Sequence, residues 1–148
     1  MKKINNKAFS LVELIIVVAI LAVLVGVLAP QYMKYVTKTQ KTRDCSTINT
    51  ILDACEVVAL DPDTTWISGT AGKVTIVISD SGATYSGSAA SQLTEYVSGN
   101  NASLVADDWG PFTITAIRAD NGRVTFDIDD ADKTALGKYS SVLSERLE

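Results

Sequence analysis

The chain of 148 residues contains no histidine, and that absence removes whole classes of chemistry at once. Ser-His-Asp and Cys-His nucleophiles need an imidazole, and so do zinc sites with His ligands. Two cysteines, Cys45 and Cys55, cannot build a four-thiolate metal site. No nucleophile–base pair is recognisable, so the reading is of a protein that is not an enzyme and holds no cofactor. Acidic residues are almost missing from the first 43 positions, which carry seven basic residues against Glu13 alone, a balance of +6. The remaining 105 positions carry six basic and sixteen acidic residues, or −10. A bulk domain of that sign argues against nucleic acid as a partner. The length suits one domain with an appendage.

What the sequence does have is one long apolar run. From Phe9 to Ala29 it reads FSLVELIIVVAILAVLVGVLA, with one charge. At 1.5 Å per residue it spans about 31 Å, enough for a bilayer core of roughly 30 Å. A cleaved secretory core is shorter, about 7–15 residues, so a retained membrane helix is expected. Basic residues flank it on both sides, so the positive-inside rule decides nothing by counting. If the C-terminal part is exported, the N-terminus stays in the cytoplasm. Glu13 is the anomaly, because a charge in lipid costs a few kcal/mol unless it snorkels or finds a partner. One reading has it reach the headgroups from one turn inside; the other has it await a cation in an assembled state.

The residues around this acid form a pattern. Lys7-Ala8-Phe9-Ser10-Leu11-Val12-Glu13-Leu14 resembles the prepilin cleavage motif of type IV pilins. The apolar run, then Pro30, Tyr32 and Tyr35, is similar to the first half of a type IV pilin helix, and the resemblance covers residues 1 to about 58. It implies cleavage between Ala8 and Phe9 by a membrane prepilin peptidase and N-methylation of Phe9. It also implies a charge pair between the new Phe9 amine and Glu13 of a neighbouring subunit. Further implied partners are lipid before assembly, further copies of the chain in a helical filament, an assembly platform protein and an assembly ATPase. The localisation implied is a single-pass membrane precursor and then an extracellular pilus, or fimbrium, with roles in adhesion and motility. Two alternatives stand beside it: a major pseudopilin of type II secretion or DNA uptake, and a membrane-anchored binding head. The family favours Gly where Ala8 stands, and no Cys follows Cys55 to close a C-terminal disulfide loop.

The fold class expected is α+β, a long helix packed on a small antiparallel sheet. The segments are a leader (1–8), a hydrophobic helix (9–29), the amphipathic half of that helix (30–60) and a β-rich head (61–148). Gly26 and Pro30 bracket the softest turn, a kink and, by the resemblance, a place of local melting. Cys45, Ile48, Leu52 and Cys55 fall at helical spacing on one face, widened by Ile51 and Val58, and are expected to pack on the head. The two thiols are ten positions and ~15 Å of rise apart, too far for a disulfide on an intact helix. Asp61-Pro62-Asp63 is expected to stop the helix. Strands are expected at 74–79, 112–118 and 124–129, with a hairpin turn at Asp120-Asn121-Gly122. A short helix is expected at 91–98 and surface loops at 68–72 and 79–91. Trp66 and Trp109 are read as core packing. The run Asp127, Asp129, Asp130 and Asp132 is read as a solvated strand end. A Ca²⁺ site is its alternative, although the spacing does not fit an EF-hand loop.

Overall fold

The structure, a computed structural model, describes residues 9–97 and 102–147. The leader with Ala8, Ser98 of the expected short helix, and Glu148 lie outside the described residues. The architecture is α+β. Helix α1 runs Leu11–Leu60, and a four-stranded antiparallel sheet and short helices follow it. Residues up to Thr37 form one compact unit and residues from Lys38 onward a second.

In the second unit, the amphipathic half of α1 supplies one wall of the core. Cys45, Ile48, Ile51, Leu52, Cys55, Val58 and Ala59 are all buried. The opposite surface stays polar, and Thr42, Thr47 and Thr50 each donate a hydroxyl to the carbonyl four residues back. Asp61 ends the helix: its backbone N–H donates to Val58 O, and its carboxylate accepts from Asp63 N at 2.9 Å. The last helical carbonyls lack a cation of their own turn. Arg118 supplies one from the sheet, its Nε donating to Ala59 O at 2.7 Å.

The sheet order is β2-β1-β3-β4, with β1 Val74–Ser79, β2 Gly82–Gly87, β3 Phe112–Arg118 and β4 Val124–Ile128. Alternate residues point into the core, as the period of two demands: Val74, Ile76 and Ile78, then Phe112, Ile114 and Ala116, then Val124, Phe126 and Ile128. Ile76 pairs with Tyr85 on one side and Ile114 on the other. Strand β2 lies inside the stretch expected to be a loop. Its sequence, GATYSG, carries little β-branched signal, and its partner β1 recruits it through the two-residue connection Asp80-Ser81. Gly87 is required there: its φ is +123°, and a Cβ would meet Lys73 O at 2.3 Å. The β3–β4 connection turns at Asp120-Asn121-Gly122 with Gly122 at φ +81°.

Two further corrections concern short elements. The loop at 68–72 contains a 3₁₀ turn, Thr70–Gly72, and Trp66 is buried over it with its indole N–H donating to Gly72 O at 2.8 Å. The short helix expected at 91–98 is present as α2, Ala90–Val97. Strand β4 ends at Ile128, so the acidic run is not a strand end beyond Asp127. Asp129 instead caps α3, Asp130–Gly137, by accepting from Ala131 N at 2.9 Å, and Asp130 and Asp132 lie in the first turn. Carboxylates favour that position because the helix N-terminus carries partial positive charge. A final helix, α4, covers Ser141–Arg146.

Candidate functional site

The first unit exposes what a water-soluble fold hides. Leu11, Ile15, Ile16, Val18, Leu21 and Leu24 are each more than half exposed. The most apolar 18-residue window of α1 has a mean hydropathy of 3.2, and none of it is buried. The apolar residues cover all azimuths rather than one stripe, which suits lipid or a bundle of like helices. Gly26 and Pro30 lie inside this continuous helix, and a Cβ on Gly26 would meet nothing within 4 Å.

At its start, Ser10 and Glu13 form a capping box. Ser10 N–H donates to Glu13 Oε2 at 2.9 Å, and Ser10 Oγ accepts from Val12 N at 3.3 Å. The S-x-x-E spacing of Ser10 and Glu13 is the local sequence signal of this box. Phe9 precedes the cap, outside the helix and 86% exposed. In the single chain the Glu13 carboxylate is thus occupied by a backbone donor.

The second unit carries a constellation that the sequence reading missed. Asp44 is fully buried. Its carboxylate accepts from Val105 N at 2.9 Å, Ala106 N at 3.0 Å and Trp109 Nε1 at 3.0 Å. One turn earlier, Lys41 Nζ pairs with Asp108 at 2.6 Å and stands 5.4 Å from the Trp109 ring and 5.7 Å from the Tyr139 ring. Trp109 also packs edge-on against Phe112 and Tyr139. Together these contacts dock the 102–111 segment on α1. A second clasp joins the C-terminus to α1: Arg146 donates to Asn49, Asp53 and Glu56, which share a helix face.

The two thiols are buried and free. Burial pushes the Cys45 thiol up to about 11, with Asp44 adding to the effect, and pushes Cys55 up to about 12, with Glu56 adding. Thiols held that high are poor nucleophiles and ligands. Burial, and then Asp129, raise the Asp132 carboxyl. Among the described residues, no group of three or more His, Cys, Asp or Glu is gathered so as to hold a metal ion. A groove of about 530 Å³ lies between Glu56 and Leu60 of α1, the β3–β4 turn and α4, and Arg146 within it is engaged by the clasp.

Such a chain belongs to a class: an α+β protein whose amphipathic half-helix is built into a sheet core and whose apolar half-helix is left open. Comparison with known proteins specifies it further. Residues 3–29 match the family described as the prokaryotic N-terminal methylation motif. A fimbrial protein of Pseudomonas aeruginosa is 41% identical over 56 residues, 38% of this chain and 36% of that protein. The type IV major fimbrial protein FimA of Dichelobacter nodosus is 40% identical over 56 residues, with the same coverage of each chain. No solved structure matches the chain. Over this N-terminal stretch the chain is similar to type IV fimbrial proteins, and the matched stretch spans about a third of the length of the curated relatives.

Proposed function

We propose that this chain is a type IV pilin precursor. A prepilin peptidase hydrolyses the Ala8–Phe9 amide, and the freed Phe9 amine is then N-methylated. The apolar half of α1 holds the subunit in the membrane with its N-terminus in the cytoplasm. An assembly platform protein and its ATPase then polymerise it into an extracellular filament, apolar helices inside and sheet units outside. The observation that carries this reading is the coincidence of the methylation motif with a helix exposed on every side.

In the filament the Phe9 ammonium meets Glu13 of a neighbour. At ~4 Å and an effective dielectric near 20 the pair attracts by roughly 4 kcal/mol. The capping bond from Ser10 N–H keeps Glu13 satisfied until then, so assembly exchanges a hydrogen bond for an ion pair. Local unwinding at Gly26–Pro30 accompanies it. Five residues at ~3.3 Å instead of 1.5 Å lengthen the helix by about 9 Å, which lets sheet units seat while Glu13 keeps its register.

Mass spectrometry of the protein recovered from sheared surface filaments tests the proposal. It expects a chain beginning at a methylated Phe9. A mature N-terminus at Met1, or one after Ala29, would overturn it. Recovery of the processed chain without any surface filament would favour the pseudopilin alternative.

A further inference from the structure

The C-terminal edge of the apolar run carries a ring of side chains that the assembly scheme does not use. Tyr32, Met33, Lys34 and Tyr35 are consecutive on α1, and at 100° per residue they cover its whole circumference. All are well exposed, Tyr32 at 69% and Tyr35 at 71%. The ring begins about 4–5 Å beyond Ala29 and ends about 9 Å beyond it. A bilayer has a core of about 30 Å and a total thickness of about 40–45 Å, so each headgroup layer is roughly 5–8 Å deep. A helix that spans the core with Phe9–Ala29 therefore places this ring at the headgroups. Tyrosine suits that depth, because its ring is apolar and its hydroxyl wet.

Lys34 adds a charge that no acid among the described residues answers. No acid occurs in the sequence between Glu13 and Asp44. A lysine at phosphate depth with no counter-ion among the described residues is complementary to an anionic headgroup.

We infer that Tyr32, Lys34 and Tyr35 form a headgroup-binding collar, selective for anionic phospholipid in the leaflet opposite the leader. The collar fixes the depth of the subunit before polymerisation. This rests on the membrane-anchored precursor proposed above.

The test uses the full chain in phospholipid nanodiscs and follows paramagnetic broadening of its backbone amides. Three spin-labelled lipids are added in turn at trace level: phosphatidylglycerol labelled on the headgroup, phosphatidylcholine labelled on the headgroup, and a lipid labelled on the acyl chain. The acyl label is expected to broaden residues 14–28, and both headgroup labels residues 32–35. At Lys34 the anionic label is expected to exceed the neutral one by about fivefold, the factor one lysine contributes near an anionic surface. Lys34→Gln should bring that ratio to about one and leave the position of broadening unchanged, and Lys34→Arg should keep the ratio. Equal broadening by the two headgroup labels in the parent, with the acyl label still acting on 14–28, would overturn the collar and leave the membrane anchor standing. No acyl broadening at all would remove the anchor, and the collar with it.

Discussion

Asp44 is where a single atom change should be felt most in the sheet unit. Its carboxylate is fully buried and satisfies three donors: Val105 N, Ala106 N and the Trp109 indole. A hydrogen bond to a charged acceptor contributes about 1.5–3 kcal/mol, and a buried donor left unmade costs about 1–3 kcal/mol. Simple addition overstates the loss, because only Ala106 among the three donors is fully buried; Val105 and Trp109 are half-buried and can rehydrate. One stranded donor and two partly rehydrated ones place Asp44→Ala at ~3–4 kcal/mol. That is a large part of the 5–15 kcal/mol typical of a domain. Asp44→Asn keeps the shape and one carbonyl acceptor but turns an amide N–H toward a donor, so it should lose about half as much. The assay is urea unfolding of a fragment beginning at Lys34, followed by tryptophan emission. Trp109 reports directly, and its emission should shift red in the folded Ala variant. An Asp44→Ala midpoint corresponding to less than about 1 kcal/mol would refute the claim that this carboxylate docks the 102–111 segment.

The same fragment, freed of the apolar run, is expected to be soluble and folded. In it Ile48→Ala and Leu52→Ala should each cost ~2–5 kcal/mol, since both side chains are fully buried; chemical denaturation with both near the parent would mean that α1 is not part of the core. Cys55 should make stability fall at alkaline pH. Its folded-state value is about 12 against an ordinary 9.0, so the folded state holds the proton more tightly than the unfolded state. The stabilisation is whole below pH 9 and is lost as pH rises from 9 toward 12, about 1.4 kcal/mol by pH 10. Cys55→Ala should show a smaller drop between pH 8 and pH 10; an identical drop would assign the effect to other groups. Glu13→Leu should leave the sheet unit's unfolding unchanged and strengthen membrane partition while abolishing filaments. Wild-type filament yield by electron microscopy would count against the charge pair.

What was legible in the sequence was what is local in it. The apolar run, its acid at position 13 and the leader pattern occupy contiguous residues, so their spacing alone makes the pattern readable. The half-helix from Cys45 to Val58 repeats at helical period because one face must meet a core, and β1, β3 and β4 alternate because one face of a sheet does. Strand β2 was not legible, since a GATYSG segment has no preference strong enough to declare itself until β1 offers an edge. Helices α3 and α4 are eight and six residues long, below the length at which apolar period speaks. Asp129 and Ser140 cap them, and in the sequence Asp129 sits inside an acidic run that hides its capping role.

The clasps were illegible for a different reason. Asp44 meets partners 61, 62 and 65 positions away, and Arg146 meets partners more than 90 away. No window of sequence contains both sides of either. Both clasps grip α1 within the Lys41–Glu56 stretch, and both employ charges from a region whose net balance is strongly acidic. Among the described residues up to Thr37, by contrast, the only acid is Glu13, and the only base from Phe9 onward is Lys34. Lys41, Asp44, Asp53 and Glu56 of α1 are thus bound within the fold. Glu13, Lys34 and Lys38 before them have no ion pair among the described residues, a distribution that fits the lipid and subunit partners proposed above.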